Sequence, residues 1–132
     1  MEKKIIEPSD KSPAVILDHE KGLIEFEGRS LIEDSEKFFM PIVDWIIKYT
    51  ENPAPKTTIN FKFEYFNTSC SKWLITITKQ LKKLFESSAD SSINWYYEDE
   101  DVLEYGEVIR DLVDIPINMI PVETEDEDDF EL

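Results

Sequence analysis

Only three glycines occur in the 132 residues, which all but excludes a Gly-rich loop around a nucleotide phosphate. A single cysteine, Cys70, rules out an intramolecular disulfide framework and argues for a reducing compartment, the cytoplasm. The one histidine, His19, falls at an expected hairpin turn, a poor place for a Ser-His-Asp triad. No apolar stretch approaches the ~20 residues that a membrane span needs. The start, Met1-Glu-Lys-Lys-Ile-Ile-Glu-Pro8, has no secretory pattern. Basic residues are scarce, 14 against 30 acids, for a net charge of −16. Such a field repels phosphate backbones and anionic lipid heads, so neither nucleic acid nor membrane is an expected partner.

What is present suffices for one domain. Apolar residues make up 41% and aromatics 12%, enough for a core at this length. Residues 1–11 are expected to be a flexible N-terminus and 12–122 the folded domain. Residues 123–131 carry seven acids in nine positions, so 123–132 is expected to be a disordered acidic tail.

Ala14–His19 and Leu23–Glu27 alternate around Lys21-Gly22 and read as a hairpin that Gly28 ends. Phe38, Phe39, Ile42, Val43, Ile46 and Tyr49 recur at helical spacing over 34–50, with Pro41 expected to restart the helix. Thr57–Phe66 is the clearest strand: Ile59, Phe61, Phe63 and Tyr65 share one face, and Asn60, Lys62 and Glu64 the other. A helix follows over Thr68–Glu86, with Leu74, Ile77, Leu81, Leu84 and Phe85 as its stripe. Ile93–Tyr97 reads as a strand, Val102–Val113 as a helix through Val108, Ile109 and Leu112, and Ile115–Val122 as an edge strand with two prolines. The order is β-β-α-β-α-β-α-β. It implies an α/β fold with a single mixed β-sheet and helices mainly on one face.

One junction combines exposure with chemistry. In Tyr65-Phe-Asn-Thr-Ser-Cys-Ser-Lys72 a strand gives way to a helix within three residues, and Asn67, Thr68, Ser69 and Ser71 lie between. The first N–H groups of a helix have no intrahelical partner and carry the positive end of its dipole, so a phosphate meets donors there. Lys72, one turn beyond Thr68, adds a charge. The plain reading is an N-cap at Asn67 or Thr68 followed by solvent-facing serines. Trp73 lies off the apolar stripe and is a candidate contact residue, whereas Trp45 and Trp95 read as core. Glu98-Asp-Glu-Asp101 has neither the ligand spacing nor the glycine of a calcium loop and reads as a solvated turn. Cys70, near a helix start, is a minor redox candidate. No metal or cofactor is expected.

The same junction resembles the strand-to-helix motif of the SiaC family of bacterial regulatory phosphoproteins. Ser12-Pro13, Phe38-Phe-Met-Pro-Ile-Val-Asp-Trp45, Trp95-Tyr-Tyr-Glu-Asp-Glu-Asp101 and Gly106 match further pieces of that family in order. The resemblance covers about residues 12–120. The layout also resembles the STAS fold of anti-sigma-factor antagonists. What the resemblance implies is a non-catalytic partner-switching module. A cognate Ser/Thr kinase (a histidine-kinase-like ATPase) would phosphorylate Thr68, with Ser69 and Ser71 as alternatives. A PP2C-type phosphatase would remove the phosphate. The unphosphorylated form would bind and activate a diguanylate cyclase in biofilm regulation, with Asn67, Ser69, Lys72 and Trp73 in phosphate or partner contact. The competing expectation is an acidic binding module without regulated phosphorylation, docking a basic partner through its tail and residues 98–101.

Overall fold

The computed structural model describes residues 1–87 and 90–123. Six strands form one sheet in sequential order: β1 (Lys4–Ile6), β2 (Ala14–Asp18), β3 (Leu23–Ser30), β4 (Lys56–Phe66), β5 (Asp90–Tyr97) and β6 (Asn118–Pro121). The β1–β2 and β2–β3 pairs are antiparallel, and β3 to β6 run parallel. Helices α1 (Ser35–Glu51), α2 (Thr68–Glu86) and α3 (Glu100–Val113) connect the parallel strands. Each crossover advances one strand in the same direction. With the usual right hand, all three helices then cover the same face.

Burial follows that geometry. Ile24, Phe26, Ile59, Phe61, Ile93 and Trp95 are sealed under the helices. Aromatic rings cross the strands there, Phe26 against Phe61 at 5.5 Å and Phe61 against Trp95 at 5.4 Å. On the opposite face Glu25, Asn60, Asn94 and Asn118 stand in register on four strands. They form a lateral ladder: Asn118 Nδ2 donates to Asn94 Oδ1 (3.0 Å), Asn94 Nδ2 to Asn60 Oδ1 (2.9 Å), and Asn60 Nδ2 to Glu25 Oε1 (2.9 Å). A polar ladder of this kind satisfies an uncovered sheet face without apolar burial. The mixed sheet with one covered face agrees with the sequence expectation.

Several local expectations are corrected. Lys4–Ile6 pairs with β2 as an edge strand inside the segment expected to be flexible; three residues carry too little periodicity to reveal it. Gly28 does not end β3. It adopts φ 123°, and a register shift between Gly28 and Arg29 carries the strand on to Ser30. The shift coincides with the end of the alternation on β4, where Tyr65 is 54% exposed and Phe66 packs inward instead. Helix α1 runs unbroken through Pro41. Pro41 and Lys37 are both exposed, so the Lys37 carbonyl deprived of a helical donor faces solvent. Helix α3 buries Val102, Gly106, Ile109 and Val113 rather than Val108 and Leu112. Ile115 and Ile117 are buried ahead of a shorter final strand. Of the expected tail, residues 124–132 lie outside the described residues.

Asp18 closes the β2–β3 turn. Its Oδ1 accepts the Lys21 N–H at 3.1 Å, and its Oδ2 lies 3.6 Å from Lys3 Nζ. That N–H holds the carboxyl below its usual range, against the opposing effect of burial and with help from the Lys3 and Lys21 charges. A carboxylate with a depressed folded pKa contributes stability that is present above its unfolded pKa and lost as pH falls through the folded one. Asp18→Asn is therefore expected to lower the melting temperature at pH 7 and to lose that effect at an acid pH where the depressed folded-state carboxyl has also taken up its proton. Equal destabilisation at both pH values in thermal melts would rule the ionic contribution out.

Candidate phosphoacceptor site at the start of the second helix

The three crossover helices all begin beyond the carboxyl ends of the parallel strands. Each is capped by a side chain: Asp34 for α1, Asn67 for α2 and Asp99 for α3. Asn67 Oδ1 accepts the Cys70 N–H at 2.9 Å. Its Nδ2 donates to the Ile32 carbonyl at 3.3 Å, and its backbone N–H to the Ser30 carbonyl at 3.0 Å. The cap is thus tied to the end of β3 and to the loop leading into α1, which fixes the α2 start from outside the helix.

The hydroxyls at this start differ sharply. Ser69 Oγ is hydrogen-bonded to Ser35 Oγ, joining the first turns of α1 and α2. Ser71 is buried, its Oγ donating to the Thr68 carbonyl at 2.8 Å, while its own carbonyl accepts Tyr105 Oη at 3.1 Å. Thr68, the first residue of α2, is the exposed one. Lys72 is exposed one turn further on. Trp73 is half-buried and stacks on Phe39 of α1 at 6.1 Å, so its ring is largely occupied by the α1–α2 contact rather than displayed.

Charge also distinguishes this helix start. The first turn of α1 holds Glu36, and that of α3 holds Glu100 and Asp101, so carboxylates already offset both dipoles. The first turn of α2 holds no acid and its cap is a neutral amide. Beside Thr68 opens a cleft of about 250 Å³, lined by Tyr65, Phe66, Ser71, Asp101, Val102 and Tyr105. Tyr105 stands edge-on to Phe66 at 5.2 Å. An exposed hydroxyl, a dipole end that no carboxylate in its own first turn offsets and an adjoining apolar hollow can together accept a phosphoryl group and meet a partner.

The other candidates have structural employment. Cys70 is fully buried and receives the Ser30 hydroxyl at its sulfur, which shields it from solution oxidants. His19 Nε2 lies 2.9 Å from the Asn52 carbonyl, with the ring edge-on to Tyr49. Within the 98–101 cluster, Asp99 caps α3 and the next two acids occupy its first turn. Among the described residues no group of three His, Cys, Asp or Glu is placed to hold a metal, and no helix is long and apolar enough to cross a membrane. Sequence reasoning passed over Tyr65, Tyr105 and Asp101 as cleft residues, and Ser30 and Ser35 as neighbours of α2. Tyr105 could have been reached from the α3 periodicity. The serines are brought in by strand order alone.

Comparison with known proteins agrees with the fold. The chain is 24% identical over 110 residues to the uncharacterized protein PA14_02130 of Pseudomonas aeruginosa strain UCBPP-PA14, covering 82% of this chain and 87% of that one. Apo-SiaC from Pseudomonas aeruginosa superposes with a TM-score of 0.82 at 23% identity, over 91% of this chain and 99% of that one. SiaC in complex with the diguanylate cyclase SiaD, which it activates, matches with the same TM-score and identity over 90% and 99% of the respective chains. The model of the SiaC family of regulatory phosphoproteins matches residues 6–122, and the chain belongs to that family.

Proposed function

We propose that this chain is a non-catalytic switch whose state is set by phosphorylation of Thr68. The observation that carries the reading is the contrast at the α2 start. Of the hydroxyls at Thr68, Ser69 and Ser71, only the first is exposed, and among the described residues it sits on the one helix start without a carboxylate. A phosphate on Thr68 Oγ1 lies close to the free N–H groups of the first turn, with Lys72 one turn away. It needs no rebuilding of the fold. A cognate histidine-kinase-like ATPase supplies the phosphoryl group, and a PP2C-type phosphatase removes it. The unphosphorylated form binds and activates a downstream target, with a diguanylate cyclase as first candidate given the SiaD complex of the relative.

Intact mass after incubation with the cognate kinase and ATP tests the assignment. Wild type, Ser69→Ala and Ser71→Ala should each gain one phosphoryl group, and Thr68→Ala none. Full phosphorylation of Thr68→Ala sinks the site. No phosphorylation of the wild type favours the competing reading, an acidic binding module without a covalent switch.

A further inference from the structure

Charge is unevenly spread over the helical layer. Helices α1 and α3 each carry more acid than base. Helix α2, which lies between them, holds four lysines against one acid, Glu86. Three of those lysines form a line. Lys79 and Lys83 follow Lys72 at seven and eleven residues, which places all three within about 40° of one another around the axis. They are exposed, on the side opposite Leu74, Ile77, Leu81 and Leu84. Among the described residues the ion pairs are formed by Lys3, Arg29, Lys62 and Arg110, and by no lysine of α2. A line of unpaired cations between acidic helices is a local exception to the field of the whole chain, so it selects an anionic occupant.

The sequence itself supplies one. The Val122 N–H donates to the Tyr97 carbonyl at 2.8 Å, so the chain leaves β6 at the end of the sheet where the helices begin. Five consecutive acids follow at 125–129. Helix α2 bridges β4 and β5, so Lys72 stands at most two strand spacings away, about 10 Å. It lies one helix diameter, about 10–12 Å, out from the sheet. The six residues from Glu123 to Asp129 span up to about 20 Å. The run therefore reaches Lys72, and with its last acids Lys79, about 10 Å further along α2. Lys83, about 16 Å beyond Lys72, is the least reachable. Charge closes the other routes. On the open sheet face Val122 borders a hollow with Glu27, Glu64 and Glu98, whose one lysine, Lys62, is held by Glu25 at 3.6 Å. Glu100 and Asp101 repel the run at the α3 start, so α3 is not its seat.

We propose that residues 125–129 dock within their own chain on Lys72 and Lys79, across the exposed edge of Thr68. Single exposed ion pairs contribute little. Tethering offsets that weakness. A short linker gives an effective concentration in the millimolar range, so a contact too weak to form between chains is populated within one. The docked run occupies the ground that a phosphate on Thr68 needs, and the two compete for Lys72. Only this competition rests on Thr68 being the acceptor; the docking does not.

The test uses the full chain with a nitroxide on Leu132→Cys; Cys70 is fully buried, so one label enters. Paramagnetic broadening of backbone amides is expected over 68–79, and not at Asn60, Lys62 or Asn94 of the open sheet face. It should fall at least about twofold in the double variant Lys72→Gln, Lys79→Gln, and likewise in about 1 M salt, where the Debye length is about 3 Å. Lys83→Gln should change it less. Broadening centred on the open face overturns the proposal. So does broadening that neither the lysine variant nor salt reduces, which assigns the contact to Phe130. An even, weak broadening over the whole surface also overturns it, because the run then has no seat. A mixture of nitroxide-bearing chains with isotope-labelled chains that lack the nitroxide should show no broadening over 68–79. Equal broadening there overturns docking within the chain and assigns it to a second copy. Thr68→Glu should release the run; broadening kept in that variant overturns the competition alone. Intact mass of Thr68→Ala after kinase treatment judges the acceptor separately and leaves the docking result standing.

Discussion

Gly106→Ala is expected to destabilise the protein by about 2–3 kcal/mol, against the usual sign for this exchange. In an exposed helix interior Ala is better than Gly by about 1 kcal/mol. At Gly106 the new Cβ would lie 2.5 Å from Trp95 Nε1 and 2.6 Å from Cδ1. The ring has nowhere to go. It is 1% exposed, packed against Phe61 and Phe66, and its Nε1–H is committed to the Val102 carbonyl at 2.8 Å. Helix α3 must therefore lift from the sheet, taking Tyr105 and one wall of the Thr68 cleft with it. A fall in melting temperature of about 5–10 °C should result. Unchanged or raised stability in a thermal melt would show that α3 is not seated on Trp95 as described.

That contact marks the boundary of what the sequence discloses. The strict alternation over Ile59–Phe63 predicts a one-sided sheet, because period-two patterning is a local property of a strand. The α2 start is equally local: a strand, an Asn, three hydroxyls and a 3.6-residue stripe within a short window. Both agree with the structure. The choice among Thr68, Ser69 and Ser71 is not local. It depends on Ser35 reaching Ser69 and on Tyr105 reaching the Ser71 carbonyl, contacts across 34 residues each that only the strand order creates. Trp73 shows the converse. Its displacement from the stripe suggests a displayed contact residue, but a neighbouring helix brings Phe39 onto the ring. Val108 and Leu112 mislead in the same way: apolar periodicity reveals a stripe without saying whether sheet or solvent lies against it. The Pro41 expectation failed for an energetic reason. A proline in the seventh helical position sacrifices one hydrogen bond, and a solvent-facing carbonyl makes that loss bearable.

Thr68→Glu is expected to leave the fold intact while abolishing capture of the partner that the unphosphorylated chain is proposed to engage. Stability should be unchanged or slightly raised. A carboxylate in the first turn of α2 meets the positive end of a dipole that no other acid offsets, a contribution of about 0.3–1 kcal/mol. Binding should respond in the opposite sense. A partner that covers the exposed Thr68 rim and the Tyr65–Tyr105 cleft strips water from the new charge, with Asp101 already lining that cleft. Burying an unpaired ion costs several kcal/mol, and about 3 kcal/mol corresponds to a loss of over a hundredfold in affinity. Phosphate, near −2, should act more strongly than Glu. Salt separates this exclusion from simple long-range repulsion. Repulsion across solvent fades at high ionic strength, whereas a desolvation cost inside the contact persists. Titration calorimetry with the proposed diguanylate cyclase partner, at low and high salt, should therefore show Thr68→Ala binding as wild type and Thr68→Glu failing in both buffers. Recovery of Thr68→Glu binding at high salt would replace exclusion with steering. Binding equal to wild type in both buffers would remove Thr68 from the interface altogether.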